Sequence, residues 1–405
     1  MVVDISQYYV KNVSKTRIDK PYFIVYSKFA DILSKHYSVS MGIISHATTY
    51  LATISKTRRL YMRSLASIQK ILNIKPIEGA DAIELVNILG WQCVSKKGEF
   101  RVGDSCVYFE VDSFLPIDER YEFLRRSSYR NNDFFGEGLR IKTMTIRGEI
   151  SQGLALPLSL FPEIPETSVG TDITESLGVK KWELPEVVGS SGVEIGDKPY
   201  GIPTTDETRL QSMTEFLDAF AGRPYYISTK MDGTSCSIYC MDGKVGVCGR
   251  NKEYAEDIEK CAMWAWVYLT GLKTKLIELG ENIVLQGEFC GHGIQKNRLK
   301  LMTPNLFVFD IVRLLDSGAR PKLGFKELQD YCERLELNMV PIEEVGENFS
   351  YTLEQLLEKA KGKYPSGLDK EGIVVRTQEF SHNTELQHKM SFKVLNNDLL
   401  KKEKD

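Results

Sequence analysis

The sequence lacks the features that mark membrane, secreted and zinc proteins. It has no apolar run of the roughly 18 residues that a membrane-spanning helix needs, and it shows no secretory signal of the usual form. Its eight cysteines include no CxxC pair and its five histidines include no HExxH motif, so neither a zinc finger nor a zinc hydrolase is predicted. Scattered thiols favour a reducing, intracellular compartment, and the cytoplasm, the nucleus and an organelle all stay open.

Two common nucleotide-binding patterns are also missing. No GxGxxG follows a predicted strand and no GxxxxGK[ST] is present, which excludes the Rossmann and P-loop signatures. The 52 Lys and Arg residues and the 55 Asp and Glu residues leave a net charge of −3. This balance excludes a uniformly basic surface for nucleic acid, but it allows a local basic groove.

The 405 residues are too many for one ordinary domain, and their composition divides them into four segments. Residues 1–61 are rich in Tyr, Ser, Thr and Lys, and we interpret them as an N-terminal extension that is disordered or carries a targeting signal. Residues 62–162 form the first predicted domain. Residues 163–205 are rich in Pro, Glu, Gly and Ser and are predicted to be a linker, and residues 206–405 form the second domain.

Short β-strands dominate the first domain. Apolar runs at 83–89 and 105–111 are separated by glycine-containing turns, and this spacing predicts a small β-barrel of the oligonucleotide-binding (OB) type. A later strand is predicted to carry Arg140 and Lys142 on one face and Arg147 on the other. Basic side chains on a barrel face hold nucleic-acid phosphates in OB folds, but the same pattern fits an ordinary solvated strand. Both interpretations stay open from this segment alone.

The second domain has a lysine at the end of a predicted strand. Lys230 follows an apolar run, and Asp232-Gly233 then turns the chain. A lysine in this position can be partly desolvated, and desolvation together with a nearby divalent cation would lower its pKa and make the neutral, nucleophilic amine accessible. Taken alone, the pattern is more typical of a surface lysine before a turn.

Further charged and aromatic residues follow on predicted strands. An Asp-Gly hairpin leads to Arg250, an apolar strand ends at Glu288, and two later strands begin after Glu371 and carry Lys393. Another apolar strand carries Phe309 next to an acid. Each of these is, by itself, typical of a buried strand with a charged end.

The order of these pieces carries more information than any one of them. The series KMDGTS, GRN, LQGE, FVFDIV, EGIVVR and SFKVLN resembles the motifs of the covalent nucleotidyltransferases, which are polynucleotide ligases and mRNA-capping enzymes. Capping enzymes and most ATP-dependent DNA ligases place an OB domain after the last motif, where this sequence leaves no room for one. The front segments IEGADAIELVNI and KKGEFRVGDSCVYFEVDSFLP, with GIQKNRLKL in the second domain, are similar to the fifth family of ATP-dependent RNA ligases.

This resemblance implies a fold and a function. The fold class would be α+β, with an antiparallel-sheet nucleotidyltransferase domain of the ATP-grasp-like ligase type preceded by a small OB-type β-barrel. The function would be ATP-dependent RNA ligation, joining RNA 5′-phosphate and 3′-hydroxyl ends at nicks in duplex RNA through a lysyl-AMP intermediate. The predicted partners are ATP, Mg²⁺ or Mn²⁺ and RNA, with a monomeric enzyme and no membrane. A DNA ligase or capping enzyme is the first alternative, and a non-catalytic OB-fold RNA-binding protein is the second.

The resemblance also implies roles for individual residues. Lys230 would be the nucleophile and Lys393 would contact the α-phosphate, so these two are the predicted catalytic residues. The predicted metal ligands are Asp232, Glu288 and Glu371. The nucleotide pocket would be formed by these five residues with Gly233, Arg250 and Phe309, whose ring would stack on adenine. The predicted RNA contacts are Arg140, Lys142, Arg147, Lys296 and Arg298.

The sequence departs from the family pattern at two places. Many ligases have Glu immediately before the nucleophilic lysine, where this chain has Thr229. Many relatives also have a second lysine two residues before the last motif lysine, where this chain has Ser391. Lys389 lies one strand step further back and is a candidate substitute.

Overall fold

The protein is described from a computed structural model that covers residues 63–164, 168–183, 192–383 and 388–402. The predicted N-terminal extension, residues 1–61, lies outside the described residues.

The N-terminal part is built from short strands. Its helices are α1 (Arg125–Ser128) and two 3₁₀ turns at Glu119–Leu124 and Leu158–Leu160. Its strands are β1 (Ala66–Lys70), β2 (Asn73–Pro76), β3 (Ile83–Ile88), β4 (Trp91–Lys96), β5 (Ser105–Phe109), β6 (Ser113–Leu115), β7 (Tyr129–Asn132), β8 (Gly136–Arg140), β9 (Met144–Ile146), β10 (Glu149–Ser151), β11 (Leu154–Pro157) and β12 (Lys180–Lys181).

These strands enclose two apolar cores. They pair in the orders β1-β5-β11, β2-β3-β4, β12-β6-β8-β7 and β9-β10. Because side chains alternate along a strand, β5 serves both cores. Val107 and Phe109 pack in one, and Cys106 and Tyr108 pack in the other.

The span predicted as a linker contributes to both parts of the molecule. Ile173 and Val179 pack in the same core as Phe109, and β12 pairs with β6. Further on, β13 (Glu194–Asp197) forms the edge of a sheet in the C-terminal part. The domain limits themselves stay a prediction, and we refer below to residues 63–183 as the OB module and to residues 192–402 as the catalytic module.

The catalytic module has helices on the outside of two sheets. Its helices are α2 (Phe216–Phe220), α3 (Ala262–Leu269), α4 (Leu272–Leu279), α5 (Phe325–Leu335), α6 (Leu353–Lys359) and α7 (Asn397–Lys402), with a 3₁₀ turn at Leu210–Ser212. The strands after β13 are β14 (Thr208–Arg209), β15 (Tyr225–Thr229), β16 (Thr234–Met241), β17 (Lys244–Cys248), β18 (Lys252–Tyr254), β19 (Ile283–Cys290), β20 (Asn305–Arg313), β21 (Asn338–Met339), β22 (Ile342–Gly346), β23 (Gly372–Thr377), β24 (His382–Asn383), β25 (His388–Lys389) and β26 (Ser391–Leu395).

The two sheets of the catalytic module are mainly antiparallel. The seven-stranded sheet has the order β13-β18-β17-β16-β19-β20-β21, and the five-stranded sheet has the order β14-β26-β23-β15-β22. Parallel pairs occur between β20 and β21 and between β14 and β26. Mainly antiparallel sheets with helices packed outside them give an α+β fold, so the predicted fold class is confirmed.

Each sheet buries one face against helices. Trp264 and Trp266 on α3 pack against the larger sheet and are 2% and 8% exposed, so both are core residues. Phe216 and Phe220 on α2 pack with Phe392 of the smaller sheet. The other faces of the sheets are therefore free to line a cavity.

The Asp-Gly hairpin forms as predicted. Strands β16 and β17 are joined by Asp242 and Gly243, which have φ values of 51° and 74°. A two-residue turn with two positive φ values matches the twist of the strands on either side. All eight cysteines are buried and unpaired. Among the described residues, no helix has the length and apolar character that crossing a membrane requires.

Candidate active site

Lys230 lies where β15 ends, as the sequence predicts. Its backbone N–H donates to the Gly372 carbonyl at 2.9 Å, which joins it to the start of β23. The chain then turns through Gly233 into β16. A Cβ atom at Gly233 would come within 2.4 Å of the Phe289 carbonyl oxygen, so the turn has room only for glycine.

A cavity of about 970 Å³ opens beside Lys230. Its volume is at the upper end of the roughly 300–1,000 Å³ that is usual for small-ligand sites. Side chains from both sheets of the catalytic module and from the OB module line it. They include Phe135, Lys181, Glu183, Asp206, Thr229, Lys230, Gly233, Arg250, Glu288, Phe309, Val340, Val374, Arg376 and Lys393.

Strand alternation brings Glu288 to this cavity. On β19 the side chains of Ile283, Leu285 and Phe289 pack in the core under α3, while Glu288 lies on the opposite face. The strand continues to Cys290, so Glu288 lies within it rather than at its end.

A β-bulge brings Phe309 to the same cavity. Gln286 pairs with Asp310 but Gly287 pairs with Val308, so Phe309 is the extra residue on β20. A bulge re-aims the side chain at that point. Val308 faces the core, and Phe309 is 9% exposed and lines the cavity.

Lys230 and Glu371 are held together through side chains and backbone. The Lys230 ammonium donates a short hydrogen bond to the Glu371 carboxylate. The buried Tyr364 hydroxyl donates to the Lys230 carbonyl at 2.6 Å and accepts from the Glu371 N–H at 3.2 Å. The nucleophile candidate and the carboxylate are thus fixed by one phenol, although Lys230 follows β15 and Glu371 precedes β23.

The pKa of Lys230 depends on the charges around it. Burial alone lowers the pKa of this ammonium, but the carboxylates of Glu371, Glu288 and Asp232 outweigh burial and raise the pKa above its ordinary value. The depressed pKa that the sequence predicts assumes a bound divalent cation as well as burial, so it stays a prediction for the protein with its cation. The residue types that make the site suitable for a cation also hold the lysine proton.

The pKa values of the neighbouring carboxyl groups are shifted as well. Burial and the neighbouring carboxylates of Glu371 and Asp232 raise the pKa of Glu288 to about 7, although Lys230 opposes this. Burial and Glu371 also raise the pKa of Asp232. Negative charge is thus crowded in the site and favours a cation there.

These acids fit a divalent cation as partial ligands. Oδ2 of Asp232 is buried and has no hydrogen-bond partner; the Arg298 Nε atom lies 3.2 Å away, in an ion pair without hydrogen-bond geometry. Carboxylate oxygens suit Mg²⁺ and Mn²⁺. Within the described ranges, however, no group of three or more His, Cys, Asp or Glu side chains encloses a metal position. The three predicted ligands therefore do not form a ready-made cage, and water and phosphate oxygens would complete the coordination.

Lys393 shows the opposite shift from Lys230. Burial and the positive charges of Arg209 and Lys230 lower the pKa of Lys393 to about 7. It lies on β26 and lines both the main cavity and a second one of about 340 Å³. The second cavity is also lined by Asp112, Arg140, Lys142, Arg209, Lys230 and Glu371. Lys230 therefore lies at the junction of a cavity lined by both acidic and basic side chains and a second, mainly basic one.

Arg250 is engaged by acids at the cavity wall. Its guanidinium donates to both carboxylate oxygens of Asp206, at 2.7 Å and 2.9 Å, and it pairs closely with Glu183. The predicted nucleotide-binding arginine is thus in the cavity.

Comparison with known proteins agrees with both modules. A family model of an OB-fold domain matches residues 65–158, and a family model named RNA ligase matches residues 223–395. The search of curated proteins finds no match. Among solved structures, Naegleria gruberi RNA ligase with PPi is 36% identical with a TM-score of 0.76, and the match covers 84% of this chain and 98% of that one.

Two further structures are variants of the Naegleria gruberi enzyme, one with ATP and Mn and one with AMP and Mn. Each is 36% identical with a TM-score of 0.77, over 85% of this chain and 100% of the other. This chain belongs to the RNA ligase family. The resemblance that the motifs indicate is confirmed.

In this RNA ligase the predicted RNA-binding residues of the OB module do not share one strand. Strand β8 ends at Arg140, so Lys142 lies in the loop that follows, although both line the second cavity. Arg147 is in the turn between β9 and β10, with φ of 53°, and is exposed. The prediction of one continuous strand is wrong, because the chain leaves the sheet after Arg140.

The two predicted RNA-binding residues of the catalytic module are also separated. Lys296 is exposed, whereas Arg298 is 14% exposed and pairs with Asp232. The loop that carries them has positive φ values at Gln295, Asn297 and Lys300, a conformation that these residue types adopt rarely. Arg298 is thus tied to the acids of the active site.

The two residues that depart from the family pattern each donate a hydrogen bond to a glutamate. The Thr229 hydroxyl donates to Glu343 at 2.8 Å, and Glu343 also accepts from Lys370 at 2.6 Å and 2.8 Å. The Ser391 hydroxyl donates to Glu207 at 2.7 Å. The side chain of Lys389 lies outside the described residues.

Sequence reasoning missed Tyr364 and Arg376. Tyr364 lies in a loop before β23, and no pattern marks a loop tyrosine as the bridge between two strands. Arg376 is buried, its guanidinium lies 5.5 Å from the centre of the Phe309 ring, and it donates to the Ser228 hydroxyl at 3.1 Å. The alternation of β23 could have found it, since Val374 and Arg376 both line the cavity.

Proposed function

We propose that this chain is an ATP-dependent RNA ligase that seals 5′-phosphate to 3′-hydroxyl ends at nicks in duplex RNA, as a monomer, with Lys230 as the nucleophile. The observation that carries the assignment of Lys230 is its position at the junction of two cavities, against Glu371 and near Glu288. Naegleria gruberi RNA ligase has been solved with ATP and Mn, with AMP and Mn and with PPi, which supports the same ligands here.

The first step transfers an adenylate to Lys230. The Nζ atom attacks the α-phosphorus of ATP, so that an N–P bond forms while the bond to pyrophosphate breaks. Before the attack an ammonium proton passes to Glu371, with which Nζ already shares a hydrogen bond, because only the neutral amine has a lone pair to donate. Mg²⁺ or Mn²⁺ held by Asp232, Glu288 or Glu371 would neutralise phosphate charge and offset the carboxylates' attraction for the Lys230 proton.

Three other residues orient the reactants. Phe309 presents an aromatic face to the cavity, where a base can stack. Gly233 allows the backbone after the nucleophile to approach closely, because any side chain there would meet Phe289. Lys393 brings a positive charge to the side of Lys230 where phosphate charge develops.

The remaining steps use the RNA ends. An oxygen of the RNA 5′-phosphate attacks the phosphorus bound to Lys230, which breaks the N–P bond and frees the lysine. The 3′-hydroxyl then attacks the adenylylated 5′-phosphate and AMP leaves. Positioning and charge neutralisation account for most of the catalysis in such displacements.

The first experiment tests the covalent intermediate. The full chain is incubated with α-labelled ATP and Mn²⁺, and we expect an acid-labile, alkali-stable label that is lost in Lys230→Ala. Lys252→Ala is the matched control, since Lys252 lines the same cavity but pairs with Asp197 at 2.8 Å. Labelling that persists in Lys230→Ala contradicts the assignment, and labelling by GTP in preference to ATP would favour a capping enzyme.

The second experiment tests the substrate. Nicked duplexes made of RNA, of DNA or of both are offered with ATP, and we expect sealing when the strands at the break are RNA. A-form shape and the 2′-hydroxyl are the features that distinguish the two nucleic acids. Equal sealing of an all-DNA nick would favour a DNA ligase.

A further inference from the structure

Two aromatic rings stack on the side of the main cavity that the OB module supplies. The rings of Phe135 and Trp182 have centroids 5.2 Å apart and planes 24° apart. Phe114, which is 3% exposed, packs against both at 5.5 Å and 5.2 Å. Phe135 and Trp182 are each partly exposed, and we call this pair the aromatic platform.

The aromatic platform is held in place by backbone hydrogen bonds. The Asn132 side-chain oxygen accepts from the N–H groups of Phe134 and Phe135, at 3.0 Å and 2.9 Å. Gly136 closes the turn with φ of 72°. In the second residue of the pair, the backbone N–H of Trp182 donates to the Asp112 carbonyl at 2.7 Å. Both rings are therefore pre-positioned, which reduces the entropy lost when a ligand stacks on them.

Basic groups lie beside Trp182 of the aromatic platform, and one of them, Lys181, pairs with Glu183 at 3.0 Å. The Arg140 guanidinium lies 5.4 Å from the centre of the Trp182 ring. Lys180 and Lys181 immediately precede Trp182 and are exposed, and Lys181 lines the main cavity with Phe135. Aromatic rings combined with cationic side chains are the arrangement that proteins use to hold single nucleotides by base stacking and phosphate contacts.

We propose that the aromatic platform stacks a nucleobase of the RNA next to the break, and so holds one reacting end at the cavity that contains Lys230. This inference rests on the proposed function, because it assumes that RNA ends enter that cavity. It differs from the sequence-based prediction, in which basic residues of one strand grip phosphates. Here an aromatic pair binds a base, and the basic residues beside it contribute charge.

The adenine of ATP is the competing occupant. The catalytic module already offers Phe309, which β20 aims into the cavity and which Arg376 supports. Phe135 belongs to the other module and is beside Lys181 and Glu183 in the cavity wall. We therefore expect the aromatic platform to act on the RNA steps and Phe309 to act on the nucleotide step.

The test separates these steps. Phe135→Ala is assayed for self-adenylylation with ATP, and for sealing of a nicked duplex RNA whose 5′ end already carries the adenylate. We expect self-adenylylation to be unchanged, and we expect the KM for the nicked duplex to rise about tenfold, since stacking on one aromatic side chain has that order of effect. Phe135→Tyr, which keeps a ring, should restore the wild-type KM.

A scan of abasic substrates identifies the contact. Single abasic nucleotides are placed one at a time at the positions flanking the break, and sealing by wild-type protein and by Phe135→Ala is compared. At the position that stacks, the abasic change and the substitution remove the same interaction, so their effects should not add. Phe123→Ala is the control, because Phe123 is a 63%-exposed phenylalanine of the same module that lines neither cavity.

Three results would overturn the proposal. The first is normal sealing by Phe135→Ala, and the second is additive effects at every abasic position. The third is a loss of activity confined to self-adenylylation, which would indicate that the aromatic platform binds the adenine of ATP. Thermal unfolding of Phe135→Ala verifies that the module is folded. If wild-type protein forms no adenylate at all, the proposed function fails instead, so the two failures are distinguishable.

Discussion

In the catalytic module the charged residues that the motifs predicted lie around one point, whereas in the OB module Arg140 and Lys142 line the second cavity but Arg147 lines neither cavity. Lys230, Glu288 and Glu371 come from three strand regions and interact electrostatically. Arg140 ends a strand and Arg147 occupies an exposed turn. The difference arises because the motif residues lie on sheet faces and at strand ends that line the same cavity. Basic residues spaced along a sequence share one face only if the strand that carries them continues, and here it ends at Arg140.

The largest effect that would test this comparison concerns Lys393. We expect Lys393→Met to lower adenylylation about 100-fold, which is typical for losing a group that stabilises developing charge. The same change should stabilise the fold at pH 6, where the lysine is protonated in folded and unfolded chains and the folded state carries the full cost of a buried cation beside Arg209 and Lys230.

The pH dependence of this stabilisation has a definite sign. The folded pKa of Lys393 is about 7 and the ordinary value is 10.5, so only the unfolded chain retains the proton between these values. The stability gained by Lys393→Met should therefore be greatest below pH 7 and should shrink as the pH rises toward 10.5. Thermal unfolding at pH 6 and pH 9 measures this, with the partly exposed Lys252 changed to Met as the control. An equal gain in stability at both pH values would show that the charge of Lys393 does not destabilise the folded protein.

A smaller effect should follow from Tyr364→Phe. The change removes the hydroxyl that forms hydrogen bonds with the Lys230 carbonyl and the Glu371 N–H. We expect the adenylylation rate at saturating ATP to fall about tenfold with little change in KM, since a buried hydrogen bond of this kind contributes about 1–2 kcal/mol.

Tyr351→Phe is the matched control for this prediction. The Tyr351 hydroxyl bonds to Glu344 at 2.8 Å and lines neither cavity. If both substitutions slow adenylylation equally, the effect of Tyr364 is general destabilisation rather than the alignment of Lys230 with Glu371.

The catalytic module shows how much of a site a sequence can predict. The motif strands, the turn at Gly233 and the position of Lys230 follow from strand periodicity and turn chemistry, and they were predictable. The bulge that aims Phe309 and the shared phenol of Tyr364 depend on contacts between distant strands, and no local pattern encodes them. The raised pKa of Lys230 in the protein without a cation has a related cause, because it depends on how many carboxylates share the pocket.

The aromatic platform shows the same limit in the OB module. Phe135 and Trp182 are 47 positions apart, and Trp182 lies in the span predicted as a linker. Only the pairing of β12 with β6 brings Trp182 beside Phe114 and Phe135. Charge patterns along the chain therefore led to Arg140, Lys142 and Arg147, whereas the arrangement in space indicates a ring pair beside the cavity.

The smallest expected effect concerns Arg147, and it tests whether the dispersion of basic residues in the OB module is real. Arg147 is exposed in a hairpin turn and lines neither cavity. We expect Arg147→Ala to change the KM for nicked duplex RNA by less than about twofold, because an exposed substitution away from a binding site usually has little effect. Sealing at several salt concentrations is the sharper measurement, since removing one phosphate contact lowers the slope of log K against log[salt] by about 0.9. An unchanged slope would indicate that RNA is bound by groups nearer the cavity. A lowered slope would indicate that RNA also contacts the β9–β10 hairpin, and the two modules would then differ less.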